Sequence, residues 1–496
     1  MSKTLLKYRR KSQLLLGLIL VFALILRLVF FTGIDESDSL SYAEFANNIA
    51  KDKPLEEIKP HGFRIGILIP VSIMYSVFGI NEFSSNILIL LISLGSIVLI
   101  YKFGTLLFDY KVGLLSAFLL SFFPMDVVYS TRLVPDLPSA FFVSLSIYLF
   151  LKSEKTNIKS NANLYCILAG MSLGIAYLMK ELSLLIWLFF IIYILYHKKV
   201  KIRYFLMALG FFLIFLLELL YFSNLTGNPF FRYSVFKSES LNVIIETNMY
   251  GRGDFPTGLF HYFYIIFTDN FLALFYSFIF IATAYFILNK KKETYNLLFW
   301  FVPLLLYLSF GSASITKYVL IPAASRFLFI INIPGILLLS YFLSQNEQPA
   351  KRFLMPSVIL LLLITSIGYI FISEHRFSLY NERDAYEYLN SLPAKKIYTD
   401  HRSFRILDYF SGYKINPNIR KFNSYEFSNP EKTYALNISQ VKDSYVVINS
   451  ELVDFLASSK IGIKFPDEVF NVPEDWVLKK EFSRNEKDKI SIYYVP

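Results

Sequence analysis

Residues 7–44 read KYRRKSQLLLGLILVFALILRLVFFTGIDESDSLSYAE. Lys7, Arg9, Arg10 and Lys11 stand before an apolar run from Gln13 to Phe31, and Asp35, Glu36, Asp38 and Glu44 stand after it. About 20 helical residues cross a hydrocarbon core, and the run is of that length. No small-residue cleavage site separates it from the acids, so it reads as an uncleaved first helix rather than a signal peptide. Bases before it and acids after it orient it, with the basic N-terminus cytoplasmic.

The rest of the chain follows this pattern. Of 496 residues, 55% are hydrophobic and 18% charged, whereas soluble domains carry about 25% charged residues. The mean hydropathy is +0.48. A single soluble domain is excluded, and so is a transmembrane β-barrel, because the apolar residues run on without alternating. The net charge of +11 reads as membrane topology and gives no sign of a nucleic-acid partner. Cys166 is the single cysteine and the five histidines are scattered. Neither a disulfide framework nor a thiolate metal site is indicated, no cofactor is expected, a divalent ion is left open, and chemistry must rest on carboxylates and bases.

Further runs lie at 84–103, 112–128, 137–151, 164–179, 182–196, 204–222, 261–288, 296–311, 326–343 and 353–373, for about eleven transmembrane helices. Basic residues fill every second gap: Lys102 and Lys111, Lys152 to Lys159, Lys198 to Arg203, Lys290 to Lys292, and Lys351 with Arg352. These gaps are cytoplasmic by the positive-inside rule, and the others face outward. The organisation is then a membrane domain over 1–373, with outer loops 32–83 and 223–260, and an extracytoplasmic α/β domain over 374–496. The segment 63–78, punctuated by Gly66 and Pro70, reads as an interfacial helix. In the tail the runs shorten to strand length at 396–398, 445–448 and 490–495, between helical stretches at 383–392 and 403–410.

Candidate chemistry collects at the outward ends. Asp35, Glu36 and Asp38 open the first outer loop, and a carboxylate there suits a general base acting on a hydroxyl. Arg27, a turn inside the first helix, either snorkels or pairs with an acid, and the loop acids stand close in sequence. Asp136 follows Tyr129-Ser-Thr-Arg-Leu-Val-Pro and serves as a helix N-cap, as an acid of the site, or both. Lys180 and Glu181 occupy a tight turn at the outer boundary, where the lysine snorkels or meets a lipid-borne phosphate. Arg326, Lys317 and Arg64 stand at the same depth and together resemble an anion-binding rim, with Glu218 nearby.

Asp38-Ser-Leu-Ser-Tyr42-Ala-Glu44 resembles the first-loop pattern of GT-C glycosyltransferases, the group with protein O-mannosyltransferases and the lipid A aminoarabinose transferase. The resemblance continues through Arg64-x-Gly66-x-x-x-Pro70, Asp136, Gly174-Ile-Ala-Tyr-Leu-Met-Lys180, Thr226-Gly-Asn-Pro229 and Arg326-Phe-Leu-Phe-Ile-Ile-Asn-Ile-Pro334. Met179 departs from the family's usual Thr, and Asp35 with Glu36 supplies extra acids, so the choice of base stays open among the three.

What the resemblance implies is an inverting transfer of a sugar from a polyprenyl phosphate to an acceptor hydroxyl on a protein, glycan or glycolipid at the outer face. Asp38 would take the acceptor proton, with Asp136 as a second acid. Lys180, Arg326 and Arg64 would meet the growing charge on the leaving phosphate. The competing class is a transporter or lipid-linked glycan flippase, which should place its ionisable residues near the midplane.

Overall fold

The computed structural model describes residues 3–35, 37–53, 61–235, 252, 256–272, 274–313, 318–345, 349–414, 417–424, 434–436, 438, 441–457, 464–483 and 489–496. They form two compact units. One comprises Met1–Thr32, Asp52–Val71 and Asn86–Phe377, and the other Gly33–Lys51, Ser72–Ser85 and Ser378–Pro496.

The first unit is helical and multi-pass. Its helices are α1 (Lys3–Val29), the opening half of α3 (Ile65–Phe78), most of α4 (Glu82–Leu107), α5 (Tyr110–Ser121), α6 (Pro124–Tyr129), α7 (Asp136–Lys155) and α8 (Lys159–Met179). There follow a 3-10 turn (Glu181–Ile186), α9 (Trp187–His197), α10 (Arg203–Thr226) and α11 (Phe231–Val235). The series ends with α12 (His261–Thr268), α13 (Phe275–Leu288), α14 (Tyr295–Phe310), α15 (Phe329–Ser344) and α16 (Pro349–Phe377). Helix α2 (Asp38–Ala50) belongs to the second unit. Among the described residues, seven helices are long and apolar enough to cross a membrane, and four apolar helices are shorter.

Two expected spans are broken. The run 112–128 stops at Phe122 and restarts at Pro124, the first residue of α6; proline lacks the donor a continuing helix needs. The run 261–288 breaks between Thr268 and Phe275, where the Asp269 carboxylate accepts from the Phe271 amide at 2.8 Å. The two breaks meet, because the Met125 amide donates to the Phe271 carbonyl at 3.1 Å. Each break thus supplies a partner that the helix end of the other would lack.

Helices α7, α8 and α10 pack side by side. A Cβ on Gly170 would fall 1.9 Å from the Met207 carbonyl oxygen, and one on Gly210 would fall 2.2 Å from that of Ile167. Glycine at these two positions lets α8 and α10 meet backbone to backbone, as small residues do between helices in lipid. Gly66 does the same for α3 against Leu178 and Met179, at the end of α8. That contact carries the neighbouring Arg64 to the C-terminal end of α8.

The second unit is built on the tail. Helices α17 (Tyr380–Ser391), α18 (His401–Phe410) and α19 (Ser450–Ala457) alternate with strands β1 (Lys396–Thr399), β2 (Ile419–Lys421), β3 (Asn423–Ser424), β4 (Tyr434–Ala435), β5 (Ser444–Asn449), β6 (Val477–Ser483) and β7 (Lys489–Val495). The main sheet runs β2-β1-β5-β7-β6, with β1 parallel to β2 and β5, and β7 antiparallel to β5 and β6. Central strand β5 is buried throughout. Tyr445 and Val447 face a core with Leu389, Leu407 and Ile492, while Val446 and Ile448 face one with Phe422, Val453 and Trp476. The expected strands are present. Four more were not expected: the short pair β3 and β4, short β2, and β6, whose Lys479, Lys480 and Glu481 suit a solvated edge.

Candidate active site

In the first unit the start of α7 and the end of α8 come together because these neighbours are antiparallel. Asp136 is the first residue of α7 and Pro135 before it occupies the N-cap position, so Asp136 is not the N-cap that the sequence allowed. Its Oδ1 instead accepts from Lys180 Nζ. Lys180 lies just past the end of α8 in extended backbone, is 7% exposed, and holds its ammonium 4.0 Å from the centre of the Phe327 ring. Burial overturns the snorkelling reading of this lysine.

The surroundings of Lys180 are strongly cationic. Desolvation pulls its pKa down to about 8, Asp136 opposes that shift, and the charges of Arg326 and Arg64 deepen it. Arg132, buried beside the Tyr129 ring at 4.7 Å, is lowered to about 9 by burial and then by Arg326, with Asp136 again opposing. Cations that depress one another's protonation mark a positive potential, which an incoming anion relieves.

A second network braces this one. Glu181 accepts from Arg64 at 3.4 Å and from Arg232 at 2.6 Å. Arg232 also donates to Glu218 at 2.5 Å and to the Tyr177 carbonyl at 2.8 Å, and its guanidinium lies 4.2 Å from the Tyr177 ring. Glu218 is thus an anchor for α11.

Arg27 is fully buried, and its partner is Asp126 rather than a loop acid. It donates to Asp126 at 2.5 Å, to Ser93 at 2.8 Å and to the Ser121 carbonyl at 2.9 Å, while Ser93 donates to Asp126 at 2.6 Å. This ties α1, α4, α5 and α6 around the break at Pro124. Bare sequence gave Asp126 no prominence, since it lies inside an apolar run. Arg132 stood in a quoted stretch and carried a readable sign, a base at the depth of the others. Arg232 carried none.

The loop acids belong to the second unit. Asp38 is the first residue of α2, with its side chain half-buried where the helix dipole favours a carboxylate. Asp35 is 3% exposed; its Oδ1 accepts from the Ser37 amide at 3.2 Å and from the Ser39 hydroxyl. That arrangement shapes the turn into α2. Glu36 and Lys317 lie outside the described residues. Among the described residues, no three His, Cys, Asp or Glu side chains gather as they would around a metal ion.

Known proteins share this architecture. A family model described as dolichyl-phosphate-mannose-protein mannosyltransferase matches residues 67–222. ArnT from Cupriavidus metallidurans bound to undecaprenyl phosphate superposes with a TM-score of 0.62 at 12% identity, over 96% of this chain and 97% of that one. The apo form of the same protein gives 0.61 at 12% identity with the same coverage. The oligosaccharyltransferase AglB from Archaeoglobus fulgidus, in complex with an inhibitory peptide and a dolichol-phosphate, gives 0.55 at 12% identity, over 99% of this chain and 74% of that one. No curated protein matches the chain by sequence. The resemblance to GT-C glycosyltransferases that use polyprenyl-phosphate donors stands, and the fold is theirs.

Proposed function

We propose that the protein is an inverting glycosyltransferase, moving a sugar from a polyprenyl-phosphate donor to an acceptor hydroxyl at the outer face of the membrane. The observation that carries this is the buried Lys180–Asp136 pair among Arg132, Arg326 and Arg64, at one end of the bundle. A fold of this kind holds undecaprenyl phosphate in one relative and a dolichol-phosphate in another. A transporter reading is less well supported, because these charges lie at helix ends and not at the midplane.

In this reading Asp38 is the general base. It accepts the proton of the acceptor hydroxyl as that oxygen attacks the anomeric carbon, and the bond from that carbon to the phosphate oxygen breaks. One displacement inverts the anomeric configuration. The donor phosphate enters as a monoanionic diester and leaves as a monoester carrying one more negative charge, which Lys180, Arg326 and Arg64 meet. Asp136 acts through Lys180 by holding its ammonium in place. The charge is met by side chains, so the proposal calls for no cofactor.

The outer placement rests on the alternation of basic gaps along the chain. External protease added to spheroplasts should then remove the 374–496 tail, and a protected tail would overturn that placement. The activity is tested by incubating purified protein with labelled polyprenyl-phosphate sugars and measuring free polyprenyl phosphate together with label on an acceptor. Translocation of the carrier with no bond broken would favour the flippase alternative.

A further inference from the structure

The first unit holds a cavity of about 320 Å³ far from Lys180, lined by Glu154, Lys155, His197, Lys199, Lys201 and Tyr204 among others. Its position follows from the helices. Asp136 and Lys180 mark one end of α7 and α8, while Lys155 and Lys159 mark the other. At 1.5 Å per residue the length of α8 puts about 30 Å between the two ends. The cavity therefore opens in the opposite leaflet from the Lys180 cluster, and a donor phosphate at Lys180 cannot occupy it.

Its charge balance is unequal. Glu154 is taken by Lys201 at 2.5 Å and by Arg203 at 2.5 Å, and both bonds hold its carboxyl below the usual range against the opposing effect of burial. Lys155 donates to the Leu106 carbonyl near the end of α4, and Lys199 is exposed. Lys155 and Lys199 thus line the cavity beyond what Glu154 offsets. Beside it, Val200, Ile202, Phe205 and Leu209 point large apolar side chains outward. A basic hollow with an apolar collar matches a phosphate that carries acyl chains.

We infer that this cavity binds the phosphate group of an anionic membrane phospholipid in the leaflet opposite the proposed active site. The inference does not depend on the glycosyltransferase reading. Lys155 and Lys199 would meet the phosphate oxygens, Tyr204 would bound the head group, and the apolar collar at the start of α10 and just before it would take the acyl chains.

The test uses the full chain, purified and stripped of lipid. Phosphatidylglycerol, phosphatidylcholine and inorganic phosphate are titrated separately, with bound species counted by native mass spectrometry and the unfolding midpoint followed. Phosphatidylglycerol should bind saturably and raise the midpoint, and phosphatidylcholine should do neither. Lys155→Gln with Lys199→Gln should weaken phosphatidylglycerol at least tenfold, while Lys102→Gln with Lys111→Gln, at the same end but outside the cavity, should leave it unchanged. Lys199→Glu alone changes an exposed residue and should give the same loss if the double variant folds poorly. Equal binding of both lipids, or affinity unchanged in the cavity variants, would overturn the proposal. Inorganic phosphate displacing the lipid at millimolar concentration would assign the cavity to a soluble anion and overturn the lipid.

Discussion

Arg405 on α18 donates to the Glu44 carboxylate at 2.9 Å and to the Ser41 hydroxyl at 3.1 Å, both on α2. Ser41 lies one turn after Asp38, on the same helix face. Lys51, just past α2, adds a bond to the Tyr413 carbonyl at 3.2 Å, and Ser85 meets the Tyr409 hydroxyl at 2.8 Å. The tail and residues 33–51 of the first loop thus belong to one folded unit. The loop that carries the proposed base is held by residues more than 300 positions away.

The first prediction concerns this brace. The Arg405–Glu44 pair is partly exposed, and such pairs contribute only about 0.2–1 kcal/mol. Arg405→Ala should therefore leave the unfolding midpoint nearly unchanged but lower kcat several-fold, with KM for the donor little affected, because α2 loses its hold near Asp38. Arg405→Lys should recover part of the loss. Equal kcat in wild type and Arg405→Ala would remove any role for the brace in turnover.

Asp38 and Asp35 should separate cleanly. Asp38→Asn removes a base and keeps the shape, so turnover should vanish while donor binding persists. Asp35→Asn disturbs an oxygen that accepts from Ser37 and Ser39, so its main effect should be on stability, about 1–3 kcal/mol for a buried polar group losing a partner. Near-normal turnover in Asp38→Asn beside a dead Asp35→Asn would reverse the assignment.

How much of this was legible in the chain depends on distance. Apolar runs report the solvent around a helix, so the bundle was readable from hydropathy, and the strands at 396, 445 and 490 were readable from apolar runs that shorten to strand length. The breaks at Pro124 and Asp269 had local marks, the proline and the polar stretch Thr268-Asp269-Asn270, but the bond that joins the two breaks, from Met125 to Phe271, spans 146 residues and had none. Lys180 and Asp136 could be singled out as charges at the outer boundary, but their pairing needed α7 and α8 to lie side by side. Arg232 took its role from Glu181 and Glu218, acids on two other elements, and nothing local announced it.

Acidity gives a third expectation. Burial draws the pKa of Lys180 down to about 8, so the lysine is charged below that value and neutral above it. An anionic donor favours the charged form, and binding should therefore take up a proton as pH rises through about 8. Affinity for donor should fall by up to about tenfold per unit above that point. Calorimetry in buffers of different ionisation enthalpy measures the proton uptake. Lys180→Arg stays charged throughout and should flatten the slope, whereas a slope unchanged in that variant would move the titration to another group.

The last prediction tests the cluster itself. The leaving phosphate gains negative charge during the reaction, so its cationic partners matter more in the transition state than in the ground state. Lys180→Ala and Arg326→Ala should each lower turnover further than they lower donor affinity, by on the order of a hundredfold, as loss of one charge-stabilising donor commonly does. The two variants differ in a second respect. Removing Lys180 strands the buried Asp136, and breaking a buried pair costs about 3–5 kcal/mol, so its unfolding midpoint should drop as well. Lys180→Ala combined with Asp136→Ala removes both charges and should regain stability without regaining turnover. Recovery of activity along with stability in that double variant would mean the pair serves only to pack α7 against α8.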